Sequence, residues 1–190
     1  GKIGSIGAGN KVSVTVIKSN GDEKRYTATL KKVETARDML AAVQESLPAD
    51  AVICAAAVAD WRTDNEAGQK MKKEEGAGLP TLTLTENPDI LKTVGALDGA
   101  DRPALIVGYA AETHDVTAYA SKKRDKKRAD WIVANDVSGN SAIEGGVMGA
   151  DHNQVHLVTA DGVEDWPVLT KQETAIRLAA RIADYLSGGK

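Results

Sequence analysis

Six of the seven residues in Lys122–Arg128, KKRDKKR, are basic. On a helix, Lys123 and Lys127 stand four apart on one face, with Tyr119 a turn earlier. A cluster like this is either a solvated face or an anion site. In the second case one pair of lysines meets a polyphosphate and the rest stay in water. A second basic run, Gln69–Lys73 (QKMKK), lies in the polar, aperiodic stretch 63–78. A stretch of that length with no element of its own is either solvated or functional. A lysine on it, such as Lys70, is able to close over a reacting phosphate and offset its developing charge. Asn87-Pro88-Asp89-Ile90-Leu91 reads as a helix start, with Asn87 as N-cap and Pro88 in the first helical position. Free N–H groups at such a start suit an anion or a polar base edge, although every capped helix has the same signature. Asp60 and Asp89 fit a divalent cation bound mainly through phosphates, the usual magnesium arrangement.

Other chemistries find little support. The lone Cys54 lies inside an apolar run and reads as an inert small hydrophobe, and one cysteine permits no internal disulfide framework. His114, His152 and His156 are not at metal-ligand spacing. Gly1, Gly4, Gly7 and Gly9 do not make G-x-G-x-x-G, and no strand precedes them, which counts against a nicotinamide oxidoreductase. No G-x-S-x-G nucleophile motif occurs.

These candidates need a scaffold. The chain has 190 residues, 42% hydrophobic and 27% charged, with a formal charge of −3. That length favours one domain with a real core, and the charge argues against a dedicated nucleic-acid binder. No apolar run reaches the roughly 18–20 residues of a membrane helix, and no signal segment opens the chain. A single cysteine fits a reducing compartment. Aromatics make up only 4%, so the core falls to Ala, Val, Leu and Ile, which suits parallel strands under helices.

Residues 12–17, VSVTVI, read as a strand, followed by a turn at SNGD and a second hairpin strand at Tyr26–Leu30. Thr35 N-caps a helix with Asp38 in its first turn and a stripe of Leu40, Val43 and Leu47. The run Ala51–Ala59, AVICAAAVA, reads as a strand buried on both faces. Leu82 and Leu84 alternate with threonines as a short strand. Ala104–Ala111 and Trp131–Ala134 read as two more buried strands around a helix near Asp115–Arg128. Val155–Thr159 follows the irregular stretch 137–154. A last helix begins with a capping box, Thr170 to Glu173, and presents Ile176, Ala179, Ala180, Ala183 and Leu186 on one face. Strands alternating with helices predict an α/β fold: a Rossmann-like, mostly parallel sheet flanked by helices, with a small added β element. Three apolar runs end in polar groups: Asp60 with Arg62, Glu112 with Thr113, and Asn135 with Asp136. Ligands of open parallel sheets bind beyond the carboxyl ends of the strands, which is where all three endings belong.

The segments AAAVADWR (55–62), KMKK (70–73), ENPDIL (86–91), VGYAAET (107–113), the Lys123/Lys127 pair, IVAND (132–136) and GVMGADHNQVHLV (146–158) stand in an order and spacing that resemble one family. It is that of the bacterial phosphopantothenate–cysteine ligases (phosphopantothenoylcysteine synthetases), the CoaB half of the bifunctional coenzyme A biosynthesis proteins CoaBC. The resemblance covers about residues 33–187 of what reads as one ligase domain over 1–190. It implies that 4′-phosphopantothenate attacks the α-phosphate of CTP, that pyrophosphate leaves an acyl-cytidylate, and that L-cysteine displaces CMP. It implies Mg2+ as cofactor, a homodimer, a flavin decarboxylase half in the parent protein and a cytoplasmic location, with no nucleic-acid or membrane partner.

Carried over by motif, the nucleotide lies along Cys54, Ala55 and Ala56 and contacts Asp60. Lys70 stabilises the reacting phosphate as the catalytic residue. Pro88, Asp89, Ile90 and Leu91 hold the nucleotide at the helix start, and Lys123 and Lys127 hold its phosphates. Tyr109 stands against the base where the family usually has Phe. The front, about residues 1–32, departs from the pattern: the S-N-x-S-S-G-K-x-G segment and its asparagine are not matched. The alternative expectation is therefore a CTP-binding module impaired in turnover.

Overall fold

In a computed structural model of the chain, the structure describes residues 11–17, 23–64, 81–138 and 152–188. They belong to two compact units, Gly1–Glu45 and Ser46–Lys190. In the first, β1 (Lys11–Ile17) pairs antiparallel with β2 (Glu23–Thr29), from Lys11 opposite Thr29 to Ile17 opposite Glu23. This is the expected hairpin. Helix α1 (Ala36–Glu45) starts where Thr35 does what its type predicts. The Thr35 hydroxyl accepts from the Asp38 N–H at 3.1 Å, and the Asp38 carboxylate accepts from the Thr35 N–H at 3.0 Å. These reciprocal bonds satisfy donors that a helix start leaves free. They hold the Asp38 carboxyl below its ordinary value.

The second unit opens with β3 (Ala51–Cys54), followed by β4 (Trp61–Thr63), β5 (Leu84–Glu86) and α2 (Ile90–Gly95). It continues with β6 (Leu105–Glu112), α3 (Val116–Lys127), β7 (Trp131–Asp136), β8 (His152–Asn153), β9 (Val155–Val158), β10 (Val163–Asp165), β11 (Leu169–Thr170) and α4 (Lys171–Leu186). One five-stranded sheet runs in the order β10-β9-β7-β6-β3. Its β3, β6 and β7 are parallel, with Cys54 beside Gly108 and Glu112 beside Asp136; β9 and β10 join antiparallel. The α/β fold with parallel central strands is as expected. Two small antiparallel ribbons, β4–β5 and β8–β11, are added to it.

Strand alternation divides the sheet into two faces. Leu105, Val107, Trp131, Val133, Val155 and Leu157 form one core cluster with Trp166 and with Leu178 of α4. The residues between them, Ile106, Gly108 and Ile132, lie under α2 and α3. There Leu91 stands over Gly108, where a Cβ would come within 2.5 Å of its side chain.

Three expectations need correction. The run Ala51–Ala59 is not one strand buried on both faces. Only Ala51–Cys54 is strand, at the edge of the five-stranded sheet, with Ile53 46% exposed, and Ala55 and Ala56 follow it exposed. A continuous apolar run fixes neither the strand's length nor the number of its neighbours. The cap of α2 is Asp89, not Asn87, because the Asp89 carboxylate accepts from the Lys92 N–H at 2.9 Å. Asn87 instead donates its side-chain amide to the Ala59 carbonyl and its backbone N–H to the Asp60 carbonyl, both at 2.8 Å. Finally, α4 has its capping box but buries Thr174 and Leu178. Ile176, Ala179, Ala180, Ala183 and Leu186 are exposed.

Candidate functional site

The carboxyl ends of β3, β6 and β7 share one edge, since the three strands are parallel. Helix α3 descends from that edge. Its residues at helical spacing 116, 120, 123 and 127 make one stripe. Ala120 is fully buried on it, while Lys123 and Lys127 are half-buried and Lys122 and Lys126 are exposed. A helix that packs on a sheet normally puts apolar residues in this stripe. Here the last two places hold lysines, a local violation of the kind that marks functional positions.

Both lysines have partners. Lys123 Nζ donates to the Tyr109 carbonyl at 2.7 Å. Lys127 Nζ is hydrogen-bonded and ion-paired to Asp89 Oδ2. Asp89 thus serves two ends at once, capping α2 through one oxygen and receiving Lys127 on the other. Burial alone raises its pKa, but the hydrogen bond from Lys127, the Lys92 N–H and both ammonium charges prevail and hold the carboxyl below its ordinary value. Cys54 stands close enough to feel that negative charge. Burial first, and Asp89 second, push its thiol up, so Cys54 is a neutral thiol here.

The helices are locked by close backbone approach. A Cβ on Gly95, at the end of α2, would lie 1.9 Å from the Lys127 carbonyl oxygen of α3. Arg102 ties the base of the same region. It bonds both carboxylate oxygens of Asp130 and the Arg128 carbonyl, while Asp130 accepts from the Ile106 N–H at 2.7 Å.

The structure therefore brings Cys54, Asp89, Leu91 and Lys127 to one face of the sheet, with Lys123 beside them. Asp60 enters through backbone: its carbonyl holds Asn87, two residues before Asp89. Pro88 is half-buried, and Ile90 and Leu91 are buried at 8% exposure each, so the latter two offer a ligand only backbone. Tyr109 is set apart. Its ring packs on the Trp131 and Leu178 cluster, on the opposite face from α2 and α3, and burial raises its hydroxyl pKa. Lys70 lies outside the described residues. Among the described residues no three His, Cys, Asp or Glu converge on one point. Of the two carboxylates singled out for a phosphate-bound cation, Asp89 is paired with Lys127 and Asp60 is exposed.

Sequence reasoning missed three parts. The Asp89–Lys127 pair joins two segments 38 residues apart and leaves no local signal. Gly95 and Gly108 gave none as contact points. Asn135 signalled only as a polar strand ending, yet its Oδ1 is buried without a hydrogen-bond partner among the described residues.

The sequence pattern of the DNA/pantothenate metabolism flavoprotein C-terminal domain matches residues 5–186. The coenzyme A biosynthesis bifunctional protein CoaBC of Bacillus subtilis is 38% identical over 85% of this chain and 38% of its own length. That of Escherichia coli K12 is 40% identical over 74% of this chain and 34% of its own. The chain thus spans little more than a third of these relatives. Among solved structures, the C-terminal domain of a coenzyme A biosynthesis bifunctional protein CoaBC superposes with a TM-score of 0.62 at 34% identity, covering 84% of this chain and 67% of that one. A DNA/pantothenate metabolism flavoprotein from Streptococcus pneumoniae, 22% identical with a TM-score of 0.60, shares the fold.

Proposed function

This chain belongs to the family of DNA/pantothenate metabolism flavoprotein C-terminal domains, and from that premise we propose that it serves coenzyme A biosynthesis as a phosphopantothenate–cysteine ligase domain. The proposed reaction joins 4′-phosphopantothenate to L-cysteine through an acyl-cytidylate formed from CTP, with release of pyrophosphate and then CMP. The observation that carries it is the lysine stripe of α3, whose two inward ammonium groups lie against the Asp89 helix start and the β6 backbone. Activation of a carboxylate at phosphorus asks for positioning and charge stabilisation more than for a side-chain nucleophile. The described face has cations, backbone donors and an unreactive thiol.

In this reading Lys127 exchanges Asp89 for the triphosphate, and Lys123 holds the phosphates beside it. Cys54, Ala55 and Ala56 line the path of the nucleotide, with small side chains that let it approach the backbone. Asp60 contacts the nucleotide. Mg2+ screens the phosphates, held mainly by them, with Asp89 or Asp60 as the protein's share. Lys70 meets the α-phosphate as charge builds there, and Tyr109 supports the base. The assembly is a homodimer, and the parent protein also carries a flavin decarboxylase half.

Pyrophosphate release on mixing CTP, 4′-phosphopantothenate and Mg2+ with the chain tests the reading, followed by quenched-flow detection of the acyl-cytidylate. Lys127→Ala is expected to weaken CTP binding by about one to two decades, the scale of a charge-assisted contact. Lys122→Ala, on the solvated side, should leave binding nearly unchanged. Equal effects at both positions would reduce the cluster to a solvated face.

A further inference from the structure

Asn135 lies on β7 between two strands, beside Ala111 of β6 and Val155 of β9. Its position follows Trp131 and Val133 in the alternation, which puts its side chain on the same face as their core cluster and the Tyr109 ring. That cluster is apolar up to this point, and Asn135 is where a strand residue turns polar. The side-chain oxygen Oδ1 is buried and accepts no hydrogen bond among the described residues. Buried polar atoms in folded proteins are nearly always paired, and an amide oxygen left alone gives up its hydration without return. Next to it on β6, Ala111 is exposed and carries only a methyl group. Tyr109, two residues earlier on β6, is its diagonal neighbour on the same face.

The missing partner must be a donor. A phosphate has none to give, and its cationic partners stand on the other face with Asp89. An ammonium group is better met by a carboxylate than by a neutral amide. The remaining fit is an uncharged N–H at the edge of a flat group that lies against an aromatic ring. We propose that Asn135 is a specificity-determining residue for the nucleotide, its Oδ1 accepting a hydrogen bond from the exocyclic amino group of the base. This rests on the nucleotide reading above and adds to it the atom that tells an amino-bearing pyrimidine from a keto one.

Titration calorimetry with CTP and UTP on the whole chain tests it. The two bases differ only along one edge, with an amino group at C4 beside an unprotonated N3 in CTP and a carbonyl at C4 beside an N3–H in UTP, and UTP would set its C4 carbonyl oxygen against the Asn135 oxygen. The parent chain is expected to prefer CTP by about tenfold or more, since a site built to bond a donor rejects an analogue that lacks it. Asn135→Leu should remove the preference by weakening CTP while sparing UTP. Asn135→Asp, which keeps an acceptor and the side-chain shape, should retain it. A parent that binds both nucleotides equally, or an Asn135→Leu variant that still prefers CTP, overturns this inference and leaves the nucleotide reading standing. A parent that binds neither overturns both. Thermal unfolding of each variant separates a lost fold from a lost contact: an Asn135→Leu variant that binds neither nucleotide while melting like the parent assigns Asn135 to binding in general and overturns the specificity role, and if it does not fold, Asn135→Asp decides by its CTP to UTP ratio.

Discussion

On the α2–α3 side of the sheet, backbone meets backbone. Gly95 admits the Lys127 carbonyl and Gly108 admits Leu91, and the polar groups named there are paired: Asp89 with Lys127, Lys123 with the Tyr109 carbonyl, Arg102 with Asp130. On the α4 side, bulk meets bulk. Trp131, Trp166 and Leu178 fill the core, Tyr185 stacks edge-on against Trp131 at 5.3 Å, and the guanidinium groups of Arg177 and Arg181 lie over Trp166 and Trp131. That second face contains the one described strand residue with an unpaired buried oxygen, Asn135. Large side chains give cohesion through area removed from water. Close backbone approach fixes distance, and charged groups work only when distance is fixed. The first face is built for position and the second for stability.

The largest expected effect breaks the stable face. Leu178→Ala removes a side chain 5% exposed in the α4 cluster, and should cost about 2–4 kcal/mol in denaturant unfolding. Because α2 and α3 lie on the other side, alkylation of Cys54 under native conditions should keep its parent rate. A Leu178→Ala chain with a freely reactive Cys54 would show that the faces are not separable.

Gly95→Ala attacks the positioning face. The new Cβ meets a backbone oxygen, which cannot rotate away, so α2 must shift from α3. The expected cost is about 1–3 kcal/mol, the range for overpacking. It should be accompanied by faster Cys54 alkylation and weaker CTP binding, neither of which Leu178→Ala produces. Gly108→Ala should be milder, because its nearest neighbours are the ends of the Leu91 and Ile132 side chains, at 2.5 and 2.8 Å.

Each face also has an ion pair that responds to acid. Asp89 is held below its ordinary 3.8, and Glu164, through the hydrogen bond from Arg181 at 2.5 Å, below its ordinary 4.5. A carboxyl with a lowered folded pKa stabilises the fold above its unfolded value and loses that contribution as pH falls through the folded one. Unfolding measured from pH 6 downward should therefore show a decline that begins near these ordinary values. Lys127→Ala and Arg181→Ala should each flatten one part of it. Both pairs are partly exposed to water, so each contribution is below about 1 kcal/mol. A flat acid limb in the parent would remove both pairs from the account.

The smallest effect sharpens the electrostatics of the first face. Asp89→Asn keeps a capping side chain but removes the charge that raises the Cys54 thiol. Alkylation at pH 8 should quicken by a few-fold at most, since burial is the larger cause. A much larger acceleration would mean that the variant had opened the site.

The order of elements was legible because it rests on local chemistry. Thr35 with Asp38 and Thr170 with Glu173 announce helix starts through their own side chains, and the apolar runs of β6, β7 and β9 announce strands. The lysine stripe of α3 followed from helical spacing alone. What escaped depends on partners distant in the chain. The run from Ala51 to Ala59 looks the same at a sheet's centre and at its edge, since composition does not count neighbours. The cap passed from Asn87 to Asp89 because Asn87 bonds the backbone at Ala59 and Asp60, a contact no window around it contains. In α4 the apolar positions chosen by spacing gave way to Thr174 and Leu178, because arginine stems over tryptophans do part of the covering.

The three tryptophans divide along the same line. Trp131 and Trp166 are 5% and 3% exposed, while Trp61 is 56% exposed and directly follows Asp60. The chain therefore contains two optical populations without labelling: a blue-shifted, shielded pair in the α4 core and a red-shifted, quenchable indole next to the proposed nucleotide path. Acrylamide reaches the second long before the first. Red-edge emission thus follows events at Asp60, while blue emission follows the integrity of the core, so occupancy and unfolding are readable in one cuvette from different parts of one spectrum.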